Sequence, residues 1–178
     1  MNYHAIRYQD TLNGPGFRTV IFVSGCEHHC KGCHNPETWD PNSGNLWTIK
    51  EIDDVMKSLK NEYVDGLTLS GGDPLMDYNR SEVKGLCRLV KETYPEKTIW
   101  VYTGYRYEEC LQFVSDYDVL ENIDVLVDGP FIEDLKDPNC LFAGSTNQRK
   151  IDVRASMREN KVVLWKPKFR KGDINGNI

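Results

Sequence analysis

The sequence contains no run of about 20 apolar residues, which excludes an ordinary membrane-spanning helix. It has no surplus of positive charge: 22 Lys and Arg stand against 27 Asp and Glu, for a net charge of −5. A general grip on nucleic acid needs a basic stripe, and that balance argues against one. Internal repeats and low-complexity segments are absent too. The opening MNYHAIRYQD is polar and lacks the apolar run of a secretory signal. A reducing, cytoplasmic location is therefore expected, and it weakens any disulfide reading of the six cysteines. What remains is a chain of 178 residues, 39% hydrophobic and 28% charged, long enough to bury a core as one domain.

Short β-branched and aromatic runs alternate with helical stripes. TVIFVS (Thr19 to Ser24), GLTLS (Gly66 to Ser70), TIWVYTG (Thr98 to Gly104) and DVLVDGP (Asp124 to Pro130) read as strands, and KVVLW (Lys161 to Trp165) as a later one. Thr48 and Glu51 form a capping box ahead of a face made by Ile49, Ile52, Val55, Met56 and Leu59. Val83, Leu86, Cys87 and Val90 stripe a second helix; Tyr107, Cys110, Leu111 and Val114 stripe a third. The alternation predicts an α/β fold with a mainly parallel sheet and right-handed crossovers. The units are too few for a closed eight-stranded barrel, so a partial, open parallel β/α barrel is expected. One domain is expected over 1–165, with a basic tail at 166–178 that is expected to be flexible. In parallel α/β folds ligands bind beyond the carboxyl ends of strands. The cysteines, GGDP, YTGY and VDGP each follow such an end.

Cys26, Cys30 and Cys33 have the spacing C-x3-C-x2-C. Six cysteines placed at random make that pattern with a chance of roughly 1%, so it calls for an explanation. Cys87 and Cys110 sit on apolar helical stripes, where a thiol acts as a small hydrophobe. Cys140, in DPNCLFAG, reads as an ordinary loop or core residue. The segment CKGCH matches covalent haem attachment, a chemistry at odds with a cytoplasmic chain. A zinc site with His34 as fourth ligand is chemically reasonable. A redox pair leaves the third thiol idle. A four-iron cluster held by three thiolates leaves one iron open to an outside ligand. Composition alone does not separate zinc from iron–sulfur. SGGDP helps: Gly71 and Gly72 let backbone approach a small molecule closely and are expected to leave amide donors exposed.

At these residues the sequence resembles the radical S-adenosylmethionine enzymes, and among them the glycyl-radical activating proteins. NGPGFRTVIFVSGC, CHNPETW and SGGDPL are similar to that group as a whole. WVYTGY, VLVDGPFIEDLKD and GSTNQR resemble its shorter members, whose target is the large subunit of an anaerobic ribonucleoside-triphosphate reductase. The resemblance runs from Met1 to Arg149 and leaves the tail from Lys150 uncovered. Many radical enzymes carry an aromatic residue just before the third cysteine; Gly32 stands there, as in those shorter members.

The resemblance implies that Cys26, Cys30 and Cys33 ligate a [4Fe-4S] cluster. The amino and carboxyl groups of S-adenosyl-L-methionine then complete the open iron. Gly71, Gly72 and Asp73 are implied at its methionyl end, and Gly32 and His34 at its adenine. Asp128 corresponds to a strand-end carboxylate near the ribose or a cation. Tyr102, Thr103 and Asn147 are implied as pocket neighbours. Cofactor chemistry of this kind needs no side-chain acid or base, so His4, His28 and His29 are expected to be exposed polar residues. A low-potential electron donor such as flavodoxin is implied. Activation of another glycyl-radical enzyme such as pyruvate formate-lyase, a small radical enzyme of deazapurine biosynthesis and a zinc-binding interaction module remain as rivals.

Overall fold

The computed structural model describes residues 1–113 and 117–167. Its strands are β1 (Asn2–Asp10), β2 (Phe17–Val23), β3 (Asn45–Leu46), β4 (Val64–Gly71), β5 (Thr98–Tyr102), β6 (Val125–Asp128) and β7 (Arg149–Asp152). The helices are α1 (Ile49–Leu59), α2 (Asp77–Thr93), α3 (Tyr107–Cys110) and α4 (Val153–Glu159). All seven strands form one mixed sheet in the order β3-β1-β2-β4-β5-β6-β7. The four central strands, β2, β4, β5 and β6, are parallel. β1, β3 and β7 join antiparallel. Among the described residues, no helix is long and apolar enough to cross a membrane.

Side chains alternate faces along a strand, and each face has its own core. Ile21, Val23, Leu67, Leu69, Ile99, Val101 and Leu126 pack with Val55, Leu59, Val83, Leu86, Cys87 and Val90 of the two long helices. Trp100, Val125 and Val127 point the other way and pack with Tyr102, Phe142, Ala143 and Trp165. The Trp100 ring meets Trp165 edge-on at 4.9 Å and Phe142 at 5.5 Å. That second face also takes in Arg18, which is fully buried. Its Nε donates to Thr68 Oγ1 (2.6 Å), and its terminal nitrogens donate to Leu67 O (2.6 Å), Thr98 O (2.8 Å), Thr98 Oγ1 (2.9 Å) and Pro15 O (3.4 Å). Burial lowers the Arg18 guanidinium to about 10. The charge is accommodated because every N–H finds an oxygen.

The capping box of α1 forms as expected: Thr48 N donates to Glu51 Oε2 at 3.0 Å, and Lys50 N donates to the Thr48 hydroxyl. Its apolar face is narrower than expected, since Ile49 in the first turn is 76% exposed. The third helix is a single turn, and Val114 falls outside the described residues. KVVLW contributes only an isolated bridge, Leu164 to Ile151. The pairing strand there is β7, whose Asp152 N and Lys150 O bond to Val163 O (2.9 Å) and Trp165 N (2.8 Å). The tail expected at 166–178 lies outside the described residues beyond Pro167.

Candidate functional site

The carboxyl ends of β2, β4, β5 and β6 surround one cavity of about 340 Å³. Cys26, Cys30 and Cys33 line it together with His34, Gly71, Gly72, Asp73, Tyr102 and Thr103. The spacing of the cysteines is turned into a loop by backbone bonds. Gly25 N donates to Thr38 O at 2.7 Å and Cys26 N to Trp39 O at 3.0 Å, tying the loop's start to the turn Pro36–Thr38. Cys33 N closes back on Cys30 O at 3.1 Å, across Gly32 with φ +72°. That left-handed φ suits glycine. Asn35 N donates to Cys33 Sγ at 3.4 Å. Burial pushes the Cys26 thiol up to about 11 and raises Cys30 as well. Metal or cluster binding must therefore displace protons there.

The GGDP turn works differently from its sequence-level reading. Gly72 N donates to Val23 O and Asp73 N to Gly25 O, both at 2.8 Å. These two amides are engaged, not exposed. Gly71 has φ +100°, and a Cβ on it would stand 2.7 Å from Phe22 backbone. A Cβ on Gly72 would stand 2.5 Å from Gly25 O. Gly71 thus brings the turn against the β2 backbone at Phe22, and Gly72 against Gly25, the residue before Cys26.

Asp73 is 1% exposed. Its Oδ1 accepts from Leu75 N (2.8 Å), and its Oδ2 accepts from Thr103 Oγ1 and Gly104 N (2.9 Å each) and faces His28 Nε2 (2.8 Å). Its oxygens thus point at protein donors. His28, expected to be exposed, is instead partly buried, lines the cavity and meets Tyr105 edge-on at 4.7 Å. The bond to Asp73 raises its pKa against the opposing effect of burial. His4 is also partly buried, 2.8 Å from Ser43 Oγ, whereas His29 is exposed as expected.

Gly32 lies outside the lining, with its Cα facing the Glu133 carboxylate. His34 is in the lining, its ring 5.6 Å from Phe131. Asp128 is not in it: the carboxylate is 1% exposed and held by Arg149 and by Tyr107 N at 2.8 Å. Arg149, its pKa raised by Asp128 and Glu108, is fully committed to the two acids. The following residue, Gly129, reaches the cavity wall instead. Asn147 stands behind that wall, donating to Pro130 O at 2.8 Å. Cys87 and Cys110 are buried in the core as expected, but Cys140 lines the cavity with the other three thiols. Residues the sequence reading passed over, including Phe22, Asn35, Trp39 and Phe131, complete the wall.

The donor set fits an iron–sulfur cluster. Three free thiols from one loop line the same cavity, and thiolates are the ligands iron–sulfur clusters use.

Comparison with known proteins agrees. The family model described as a 4Fe-4S single cluster domain matches residues 12–151. Three similar proteins carry the name anaerobic ribonucleoside-triphosphate reductase-activating protein. That of Enterobacteria phage T4 is 43% identical over 149 residues, covering 84% of this chain and 92% of the relative. Those of Escherichia coli K12 and Vibrio cholerae serotype O1 are 43% and 45% identical over 150 residues, covering 83% of this chain and 96% of each relative. With a domain model spanning most of its length and relatives matched almost end to end, the chain belongs to the family of anaerobic ribonucleoside-triphosphate reductase-activating proteins.

Proposed function

We propose that this protein activates an anaerobic ribonucleoside-triphosphate reductase by placing a glycyl radical on its large subunit. The observation that carries the reading is the convergence of three thiols and the GGDP turn on one cavity at the strand ends. Cys26, Cys30 and Cys33 would hold a [4Fe-4S] cluster, and S-adenosyl-L-methionine would bind beside it in the cavity. When bound, the reduced cluster would supply the one electron needed to cleave the cosubstrate's sulfonium, releasing methionine and giving the one-electron chemistry able to take hydrogen from a glycine Cα.

The chain's own residues bind, orient and shield. Gly71 and Gly72 give the turn a shape that admits the methionyl end beside the cysteine loop. The ring of His34, facing Phe131 across the lining, offers a flat surface for the adenine, and Gly32 lets the loop bend beneath it. Asp73 positions the turn through its bonds to the neighbouring loops. Asp128, held by Arg149, fixes the strand end from which Gly129 enters the wall. Tyr102 and Thr103 close the cavity from β5. We read the sheet as the open, partial β/α barrel of the radical enzymes, with 1–165 as one domain and 166–178 as a basic appendage. The chemistry requires an external low-potential electron donor, and we take a flavodoxin-like protein in a reducing cytoplasm as that source.

The test is direct. Mixed without oxygen with a reductant, S-adenosyl-L-methionine and the reductase from the same source, the protein should release 5′-deoxyadenosine. Electron paramagnetic resonance should then show a doublet on the reductase that disappears in air. Cosubstrate cleavage without that doublet would overturn the partner. Activation of pyruvate formate-lyase alone would reassign the protein to a different glycyl-radical enzyme.

A further inference from the structure

The fully buried carboxylate of Asp73 calls for an account of its partners, since a lone charge at such a position is costly. Among the described residues its hydrogen-bond partners are one imidazole and three neutral donors drawn from separate segments. Leu75 N belongs to its own turn. Thr103 Oγ1 and Gly104 N belong to the segment after β5. His28 belongs to the cysteine loop, two residues after Cys26 and two before Cys30. The imidazole is wedged in place: Tyr105 meets its ring at 4.7 Å, and a Cβ on Gly104 would fall 2.3 Å from it.

The cysteine loop and the GGDP turn are therefore joined at two points. Asp73 N donates to Gly25 O just before Cys26, and the Asp73 carboxylate meets His28 just after it. A single attachment lets a loop pivot about the contact. Two attachments on either side of Cys26 set both its distance and its direction from the turn. Cofactor sites need that control, because placements off by about 0.5 Å lose much of their effect.

We infer that His28 is a positioning residue that latches the cysteine loop to the GGDP turn through Asp73, aligning the ligand thiols with the place where the cosubstrate binds. This rests on the cluster and cosubstrate reading above. His28 touches neither reacting group in this role; it acts through Asp73.

Two substitutions in the full chain, reconstituted anaerobically with iron and sulfide, test the latch. His28→Gln keeps an N–H donor directed at Asp73, and His28→Leu fills the space without one. Three quantities are read: iron per chain, the dissociation constant for S-adenosyl-L-methionine by equilibrium dialysis, and the electron paramagnetic resonance of the reduced cluster with and without it. The parent is measured first. If it does not bind S-adenosyl-L-methionine, the proposed function fails, and the latch with it. Given a binding parent, His28→Leu should bind about tenfold more weakly, the scale of one hydrogen bond to a charged group. Its spectral response to the cosubstrate should shrink at equal concentration. His28→Gln should return the affinity to within about twofold of the parent. Parental affinity in His28→Leu, or equal losses in both variants, overturns the latch. Should His28→Leu hold no cluster, His28→Gln decides: parental iron and affinity support the latch, and anything less overturns it.

Discussion

A single methyl group added at Gly72 has nowhere to go. Its Cβ would stand 2.5 Å from Gly25 O, 2.9 Å from Gly25 C and 3.0 Å from Gly25 N, whereas ordinary contact begins at 3.4 Å. The shortfall at the oxygen is about 0.9 Å, and the opposing atoms are backbone, which has no rotamer to escape into. Gly25 is also fixed from its other side by Thr38 O at 2.7 Å. Gly72→Ala must therefore displace either the GGDP turn or the peptide that leads into Cys26. Overpacking of this kind costs about 1–3 kcal/mol, and each kcal/mol lowers the melting temperature of a chain this size by roughly 2–4 °C. The functional cost is larger than the thermal one, since a displacement near 1 Å at a positioned group can cost about a hundredfold in rate. The assay is anaerobic reconstitution followed by iron content and S-adenosyl-L-methionine affinity, with Gly85→Ala as the control. Gly85, midway along α2, has nothing within 4 Å of its Cβ position. Alanine there should stabilise by about 0.5–1 kcal/mol and leave the site alone. If Gly72→Ala melts, loads iron and binds cosubstrate like the parent, the backbone contact between turn and cysteine loop does not govern the site.

Cys26→Ala, Cys30→Ala and Cys33→Ala should each abolish normal four-iron loading, read as iron content and visible sulfur-to-iron absorption. Cys140→Ala, although its residue lines the same cavity, should retain parental iron; equal loss there would refute the three-ligand assignment. Thr48→Ala removes the cap of α1 and should cost about 1 kcal/mol at neutral pH. The Thr48 hydroxyl is the largest cause holding Glu51 below its ordinary value. The stability Glu51 gains from this is present above the ordinary glutamate range and is lost as pH falls through its depressed value. Melting curves of parent and Thr48→Ala should therefore approach each other in acid, and a gap that widens there would contradict the cap.

The central strands were legible because they are buried runs of β-branched and aromatic residues, and a run such as TVIFVS has few other uses. β1 was not, since NYHAIRYQD mixes polar residues on a half-exposed strand that owes its pairing to β2. β7 was hidden for a related reason: RKID shows little apolar signal, and its neighbour KVVLW carries a stronger one while forming a single bridge. Clustering of the three thiols beside GGDP followed from spacing and strand order. The state of each donor did not. Gly72 and Asp73 amides, the Asp73 carboxylate and Asp128 all looked available in one dimension, yet each finds a protein partner from a distant segment. His28 was read as an exposed polar residue because its partner lies 45 residues away.

Arg18 also imposes an order on how the cavity comes to exist. Its acceptors on Thr68 and Thr98 are 50 and 80 residues further along the chain, and Thr68 Oγ1 in turn donates to Asn13 O at 2.8 Å. Contacts over such separations form late, because the loop between them must first be closed. Until β5 has settled beside β4, the guanidinium lacks its Thr98 acceptors. The thiols of the cysteine loop are thus synthesised well before the chain can shelter them. A chain stalled short of β5 would lack the Tyr102, Thr103 and Gly104 wall of the cavity and would display its cysteines to solvent and oxygen.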